Sequence, residues 1–428
     1  MSHQEAIARD DVSRPSVAAW TVVGVCFAVL SVSFAARSLL GLAMPYLQKD
    51  FGWSRSFVSS GASLALVTMA VMSPIAGNLI DRYGGRALLF AGCIAVAVGM
   101  TFSGFMQVPW EFLVAFGLFA GVGFGMAATH AVGTIVSLTF EKNRGLAVGT
   151  ATAGSTAGQL VVVPVLAAVL QTISWRWSYF ALGAAAFAMA AAVLMFVRPT
   201  GAPRGTAQPK VVKKAEVTGS IVTETAALFR KPVFHLLLWS YVICGFTTSG
   251  IIEVHLLPYA AACGFPPLQS AYAYGILSAV NLGGMVLSGW LTDRMHRPLL
   301  LGMIYILRGL SFLVLIWAAH DIHLLFLFAV LFGVFDYSTV PVTASLAASN
   351  MGLRVMGLTM GLLSAGHALG AAAGAQLAGV LYDLYAEYLW VWVMAIALAL
   401  FAGVLCFFIK EDRKPHHSDI LQTAALET

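Results

Sequence analysis

Long apolar stretches alternate with short polar segments along the whole chain. Many of the stretches reach 20 residues or more, the length that an α-helix needs to cross a hydrocarbon layer of about 30 Å. The pattern predicts twelve such helices, over residues 18–46, 56–80, 87–107, 112–138, 146–172, 177–197, 234–260, 268–291, 299–318, 323–348, 356–382 and 389–409. The predicted fold class is an all-α membrane protein with twelve transmembrane helices.

One longer polar segment, RPTGAPRGTAQPKVVKKAEV, divides the predicted helices six and six. It is typical of a linker because it is rich in Pro, Gly and Lys. We therefore predict an N-terminal tail, a first six-helix half, a linker, a second six-helix half and a C-terminal tail, over residues 1–17, 18–197, 198–233, 234–409 and 410–428.

The two halves repeat each other at a fixed offset. RGLAVGTATAGSTAG (144–158) aligns with MGLTMGLLSAGHALG (356–370) through four glycines. Further matched glycines at the same offset are Gly52 with Gly264 and Gly121 with Gly333. An ungapped register from the second helix to the fifth is not expected by chance, even among 41 glycines. Two parallel, pseudo-symmetric halves with a site between them at mid-depth are typical of a transporter.

Composition excludes a soluble enzyme and predicts the orientation. Hydrophobic residues make up 59% of the chain and charged residues 10%, against about 25% charged residues in soluble domains; the mean hydropathy is +0.85. Nineteen of the 24 Lys and Arg residues fall on the side of the predicted helices that carries both tails. We expect both tails in the cytoplasm and the helices in a bacterial-type inner membrane. The polar first 17 residues do not resemble a cleavable signal peptide.

The chemistry of other protein classes is missing from the sequence. There is no Gly-x-x-x-x-Gly-Lys-Ser/Thr loop for ATP, and the five cysteines have no metal-like spacing. No nucleophile and base are arranged as in an enzyme. We expect no catalytic residues, no cofactor, no metal and no nucleic-acid partner, and we expect a monomer in the lipid bilayer.

The segment GNLIDRYGGR (77–86) resembles the signature loop of the major facilitator superfamily. A second copy, GWLTDRMHR (289–297), has His296 in place of the expected glycine, which predicts a different turn. The resemblance covers essentially the whole chain and implies the major facilitator fold. In that family the loop favours the outward-open state, so the resemblance implies gating residues at Asp81, Arg82, Arg86, Asp293 and Arg294; the alternative for the arginines is a purely topological role.

A narrower resemblance is to the monocarboxylate transporters and their bacterial relatives. SFAARSLLG, EVHLLPYAAACGF and FGVFDYSTVPV are similar to segments of their first, seventh and tenth helices. The eighth helix departs from the family at one position. The family has an Asp or Asn followed four residues later by an arginine, whereas this chain has Asn281 followed by Met285. The resemblance implies transport of an organic anion, and the missing arginine puts simple lactate or pyruvate transport in doubt.

Four Asp, Glu, Lys or Arg residues lie inside the predicted helices, and each is a functional candidate because charge is costly in hydrocarbon. Arg37 either binds an anionic substrate or pairs with an acidic residue. Arg308 and Asp336 lie near the middles of adjacent helices, where they form either an internal ion pair or a proton relay. Glu253 is a candidate proton carrier or a partner in an outer-gate hydrogen bond.

Other polar residues complete the candidate site. His255 follows Glu253 by two positions, so the two side chains point about 200° apart on a helix and cannot form one site; His255 is a candidate for substrate binding or proton uptake. Gln159, Asn281 and Tyr337 are candidate substrate contacts. His367 lies among small residues, which favours a packed histidine over a ligand.

The sequence therefore predicts a secondary active transporter of a monocarboxylate-like organic anion, coupled to protons and working by alternating access. Two alternatives remain within transport: uptake of a larger vitamin-like or aromatic solute such as a flavin, and efflux of amphipathic compounds. A membrane sensor without transport is disfavoured, because the linker contains no recognisable signalling domain.

Overall fold

The computed structural model describes residues 17–140, 144–197, 221–319, 321–352 and 355–411. Within them, twelve helices are long and apolar enough to cross a membrane, and no strand occurs. These helices, α1 to α12, are Ala19–Phe51, Arg55–Ser73, Tyr83–Phe105, Pro109–Ser137, Leu146–Thr172, Trp175–Phe196, Pro232–Ala262, Pro267–Thr292, Arg297–Ala318, Ile322–Met351, Met356–Tyr385 and Leu389–Phe407. A short helix, Ile221–Phe229, precedes α7. The predicted all-α membrane fold is confirmed.

The internal repeat reappears as shared local structure in the two halves. α1 is followed by Gly52 at φ 67° and α7 by Gly264 at φ 78°, a left-handed conformation that glycine adopts without steric cost. Gly121 packs on the backbone of Ala65, and Gly333 packs on the backbone of Leu277. The two glycines are as many positions apart as their two partners, and this separation equals the offset at which the sequence repeats. The two halves are therefore pseudo-symmetric, as predicted.

The predicted loop between the second and third helices is instead a kink. One helix runs from Arg55 to Phe105, and Gly84 is its single non-helical residue, with φ 80° and ψ 161°. In the second half, α8 ends at Thr292 and α9 begins at Arg297. Nδ1 of His296, between them, accepts a hydrogen bond from the Leu299 amide. The two turns differ, as predicted, because a histidine does not readily adopt the φ of Gly84.

Glycines allow helices within each half to pack with their backbones in contact. A Cβ atom at Gly158 of α5 would lie 2.2 Å from the Ser31 carbonyl oxygen of α1. In the second half, a Cβ atom at Gly370 of α11 would lie 2.0 Å from the Val242 carbonyl oxygen of α7. Such contacts are typical of small residues at the interfaces of membrane helices. They bring α1 and α7, which carry candidate charges, to the middle of the bundle.

Several helices are irregular within the membrane. Turns of π-helix occur at Leu113–Ala120, Gly158–Val162 and Phe246–Ile252. α10 consists of Ile322–Phe335 and Thr339–Met351, with a break at residues 336–338. Inside a membrane an irregular backbone is tolerated where it is buried in protein or lines a cavity, and π-turns are frequent at functional sites. These irregular segments therefore indicate that a functional site lies in the interior of the bundle.

The halves meet toward one side of the bundle. We call the side on which α1 begins and α12 ends the terminal side, and the other the far side. Helix α2 packs on α11, α1 on α7 and α5 on α8. The hydrogen bonds found between the halves, among described residues, lie at mid-depth or toward the far side, as between Ser63 and the Ala372 carbonyl (2.8 Å). The far side is therefore closed.

Candidate transport site

An ion pair joins the two halves at mid-depth. Arg37 Nη2 of α1 donates to Glu253 Oε2 of α7 at 2.6 Å. Both side chains are mostly buried, with 16% and 12% exposed, and the guanidinium also lies 4.8 Å from the centre of the Phe34 ring. Of the two interpretations of Arg37, the structure shows the acidic partner: the counter-charge is supplied by Glu253 of the opposite half.

Irregular helix segments position the other groups that hold Glu253. Ser249 lies in the π-helical turn of α7 and donates to Glu253 Oε1 at 2.9 Å. Tyr337 lies in the break of α10, and its hydroxyl donates to the same oxygen at 2.7 Å. With Arg37, three donors converge on the carboxyl group, an arrangement that stabilises its ionised form.

A cavity of about 170 Å³ opens beside this ion pair, between the two halves. The first half contributes Ser33, Phe34, Arg37 and Phe124, and the second half contributes Tyr241, Ser249, Tyr337, Ser364 and His367. Within the described residues, Nε and Nη1 of Arg37 have no partner, and neither is buried. The guanidinium therefore keeps free donors for a ligand even while Glu253 holds Nη2. His367 also lines the cavity, with its ring centre 5.0 Å from that of Tyr241.

A second charged cluster is buried in the C-terminal half. Arg308 of α9 is 0% exposed, and its Nη1 donates to Cys244 Sγ at 3.2 Å and to the Asp336 backbone carbonyl at 3.3 Å. That carbonyl is freed by the break in α10. Asn281 Nδ2 donates to Asp336 Oδ2 at 3.3 Å, and Asn281 Oδ1 accepts from the Tyr337 amide at 3.1 Å.

The Arg308–Asp336 ion pair, one of the two alternatives from the sequence, is not formed in this conformation. Nε and Nη2 of Arg308 and Oδ1 of Asp336 are buried without a hydrogen-bond partner. The guanidinium instead lies 4.7 Å from the centre of the Tyr305 ring. The two residues are neighbours, as predicted, but Arg308 contacts the backbone of Asp336 and not its carboxyl group.

A hydrogen-bonded network closes the far side between the halves. Asp383 of α11 accepts from the backbone amides of Arg55 (3.0 Å) and Ser56 (2.8 Å), so a residue of one half caps a helix of the other. The Arg55 side chain lies 3.5 Å from the centre of the Tyr382 ring and donates to the Tyr388 hydroxyl at 2.6 Å. We call these five residues, including Ser56, the far-side latch.

His255 belongs to this far-side contact and not to the cavity. The buried ring lies 2.9 Å from the Ala375 carbonyl and 3.3 Å from the hydroxyls of Ser59 and Tyr388. Glu253, two residues earlier, faces Arg37 instead. The two side chains therefore face different partners, as predicted, and His255 is not among the residues that line the cavity.

The candidate contacts Gln159 and Asn281 are also outside the cavity lining. Gln159 donates to the Tyr274 hydroxyl at 3.0 Å and accepts from Ser278 at 2.6 Å, which ties α5 to α8. Ser38 of α1 lies 3.3 Å from the same tyrosine hydroxyl. Gln159 and Ser38 therefore join the halves here, and Asn281 bonds within the second half. Tyr337, the remaining candidate, does line the cavity.

The predicted gating residues form no contact between the halves in the part that can be described. The side chains of Asp81 and Arg82 lie outside the described residues. Arg86 donates to the Leu194 carbonyl at the end of α6. Asp293 is exposed, and Arg294 donates to the Trp290 carbonyl in the last turn of α8 at 3.1 Å. This arrangement fits a protein whose terminal side is open.

Sequence reasoning missed Ser249 and the far-side latch. Arg55 and Asp383 stand at helix ends, where a charge is ordinarily a solvated group, and nothing in the periodicity links them. Ser249 is a small polar residue among others on α7. The proximity of a Glu four residues later was the available signal, and its meaning depends on a π-helical turn that the sequence does not reveal.

Comparison with known proteins agrees with the fold. The family model described as Major Facilitator Superfamily matches residues 26–362 and 296–425. Human monocarboxylate transporter 11 is 27% identical over 385 residues, which are 85% of this chain and 77% of that protein. The uncharacterised MFS-type transporter YcxA of Bacillus subtilis is 25% identical over 388 residues, 86% of this chain and 90% of that protein.

Solved structures with the same fold are more distant in sequence. A bacterial homolog of the human lysosomal transporter Spinster, in an inward-facing and unoccupied conformation, superposes with a TM-score of 0.72 at 17% identity, covering 92% of this chain and 97% of that one. Its occupied form gives 0.71 at 16% identity, with 91% and 96% covered. At this identity the likeness concerns the fold alone.

Proposed function

Because this chain belongs to the Major Facilitator Superfamily, we propose that it is a secondary transporter that carries a small organic anion together with a proton. The observation that carries this proposal is the Arg37–Glu253 ion pair, which joins the halves at mid-depth and faces the cavity with free guanidinium donors. A carboxylate substrate would bind Nε and Nη1 through charge-assisted hydrogen bonds.

Charge balance couples the two ligands in this proposal. In the empty site Arg37 and Glu253 neutralise each other. When an anion binds Arg37, Glu253 becomes a second negative group beside it, and a proton on Glu253 restores neutrality. An anion alone or a proton alone leaves a net charge, which costs at least about 2.5–3.5 kcal/mol at the centre of a membrane. The Arg37–Glu253 site is therefore neutral when it is empty and when it is doubly loaded, and these two states of the site favour crossing.

The size and lining of the cavity favour a small solute. Its volume is about 170 Å³, whereas pockets for drug-sized ligands are about 300–1,000 Å³. The aromatic rings of Phe34, Phe124 and Tyr241 would contact the apolar part of a carboxylate, and the serines would contact its polar part. This conformation supports a monocarboxylate-like substrate over a flavin, in keeping with the name of the human relative.

The distribution of Lys and Arg supports cytoplasmic tails in a bacterial inner membrane. The terminal side is then the cytoplasmic side, and the conformation described here is inward-facing. Rocking of residues 18–197 against residues 234–409 would break the far-side latch and close the terminal side. We propose uptake as the direction of transport.

Counterflow in proteoliposomes tests the proposal. Proteoliposomes that contain the wild-type protein are loaded with one unlabelled carboxylate at a time. They should accumulate the labelled form of any carboxylate that the protein carries. Arg37→Gln should abolish this exchange, and Arg37→Lys should retain part of it, because lysine keeps the charge without the bidentate geometry.

Arg176→Gln is the matched control, since Arg176 donates to the Gly104 and Met106 carbonyls away from the cavity. Unchanged exchange in Arg37→Gln would remove the proposed anion site. Transport of amphipathic compounds that is indifferent to Arg37 would favour efflux instead.

A further inference from the structure

Asp336 and Arg308 remain unexplained by the anion site. Both are buried, with 5% and 0% exposed, in the middle of a membrane protein. Each retains unused hydrogen-bonding capacity: Oδ1 of Asp336, and Nε and Nη2 of Arg308. Two groups of opposite charge that lie this close and do not pair need a physical reason.

The surroundings of Asp336 fit a neutral carboxyl group. Its only described side-chain hydrogen bond is the one from Asn281, at 3.3 Å, whereas Glu253 receives three donors at 2.6–2.9 Å. Burying an ionised carboxylate with a single long hydrogen bond costs far more than burying its protonated form. The surroundings of Glu253 therefore stabilise an ionised carboxylate, and the surroundings of Asp336 stabilise a protonated carboxyl group.

The surroundings of Arg308 fit a cation that waits for a partner. Its charge is stabilised here by the Tyr305 ring, the Cys244 sulfur and the Asp336 backbone carbonyl. None of these is a carboxylate, and two guanidinium nitrogens stay unpartnered. The break in α10 at residues 336–338 gives Asp336 a segment that can turn, so that an ionised carboxylate could close onto those nitrogens.

We propose that Asp336 is a proton-binding site, protonated in this conformation and paired with Arg308 after it releases the proton. On release, the O–H bond of the Asp336 carboxyl group breaks. The proton passes to the Glu253 carboxylate when the anion displaces Glu253 from Arg37. Tyr337, the next residue in the chain, already donates its hydroxyl to Glu253. This inference rests on the proposed function for the destination of the proton, but not for the protonation of Asp336 itself.

The groups that face Asp336 come from three neighbouring helices. Cys244 and Glu253 approach from α7, Tyr274 and Asn281 from α8, and Arg308 from α9. Of these groups, Arg308 is the cation and Glu253 is the other carboxyl group, and unit charges interact strongly in a buried site of low dielectric constant. A change in the charge of Glu253 therefore acts directly on Asp336, which couples the two carboxyl groups electrostatically.

Infrared difference spectroscopy on the purified protein tests the protonation directly. The carbonyl stretch of a protonated carboxyl group should appear in the wild type and disappear on titration to alkaline pH. It should be absent from Asp336→Asn and retained in Asp321→Asn, the matched control, because Asp321 only caps the start of α10. A band that survives in Asp336→Asn would overturn the proposal.

A second measurement does not depend on a folded variant. A hydrophobic carbodiimide reacts with protonated carboxyl groups in apolar surroundings, and mass spectrometry of the treated wild-type protein should locate the adduct on Asp336. An adduct on Glu253 and none on Asp336 would contradict the proposal.

Transport separates this inference from the proposed function. Asp336→Asn should retain exchange of labelled for unlabelled anion and lose most of the uptake driven by a pH gradient. If the wild type carries no anion but shows the Asp336 band, the proposed function fails and the proton site stands. If Asp336→Asn keeps full proton-driven uptake, the proton site fails and the anion site stands.

Discussion

At the residue scale, the proposed function makes the site a competition for the Arg37 guanidinium. Glu253 occupies Nη2, and an arriving carboxylate would take the atoms that Glu253 leaves free. Glu253 compensates the charge of Arg37 at mid-depth in this conformation, and under the proposed function the substrate would compensate it in the loaded state.

Replacing Glu253 by Gln tests this competition. Glutamine keeps the shape and can still accept from Tyr337 and Ser249, but it carries no charge and takes up no proton. We expect anion exchange to persist and accumulation driven by a pH gradient to be lost, measured in proteoliposomes. Glu111→Gln is the control, since Glu111 only accepts from the backbone amides of Gln107 and Val108. Proton-driven accumulation that matches the wild type would contradict the competition.

The sequence indicated most of the chemistry at this scale but not the pairings. Charged side chains are costly in hydrocarbon, and this identified four candidates inside the predicted helices. All four lie in the interior of the bundle: Arg37, Glu253, Arg308 and Asp336. Their partners could not be derived, because Arg37 and Glu253 are 216 positions apart and meet only through the packing of α1 on α7. Arg308 contacts the backbone carbonyl of Asp336 and not its carboxyl group, and the break of α10 that exposes this carbonyl has no hydropathy signal.

At the element scale, glycines set the distance between helices within a half. Gly158 lies against the Ser31 carbonyl, and Gly149, nine residues earlier on the same helix, has no atom within 4 Å of its would-be Cβ. The glycine pattern therefore combines positions that packing requires with positions that it does not.

Alanine substitutions separate these two kinds of position. Gly158→Ala should force α1 and α5 apart and destabilise the protein by about 1–3 kcal/mol, the usual cost of overpacking. Gly149→Ala should leave the unfolding temperature unchanged or slightly raised, because it adds only helix propensity. Scanning fluorimetry of the purified variants measures the difference; equal stability of the two would show that the contact is not a constraint.

Helix positions were predictable at this scale, and their irregularities were not. The twelve predicted stretches coincide with the twelve helices because hydropathy follows the thickness of the bilayer. The segment 81–86 was predicted as a loop and is helical except at Gly84, since a kink needs only one residue with positive φ. The π-turns depend on neighbouring helices and leave no period in the sequence.

At the scale of the whole molecule, the far-side latch joins the halves on the side that is closed. It joins α2 to α11 through backbone amides, a carboxylate and a stacked guanidinium. On the terminal side, no hydrogen bond between the halves is found among the described residues. Weakening the latch should therefore shift the population toward a conformation open on the far side.

Asp383→Ala removes the cap that α11 provides to α2. We expect a cysteine placed at Ser249, in the cavity, to react faster with a membrane-impermeant thiol reagent added on the far side. The measurement uses a Cys263→Ser background: Cys263 lies just beyond α7, and although burial raises its pKa and slows its reaction, replacement removes that signal altogether. Asp321→Ala, another cap on the far side, should have no effect; equal labelling with and without Asp383 would show that the latch does not hold this side shut.

The π-helical turn Phe246–Ile252 has a consequence for how relatives of this chain are compared. It inserts one residue before Glu253, and each residue of an α-helix turns the following side chains by about 100°. A relative one residue shorter in this stretch would present a different side chain to Arg37, even where its glutamate aligns letter for letter. The length of that short stretch, as much as the identity of the acid, defines which homologues share this site.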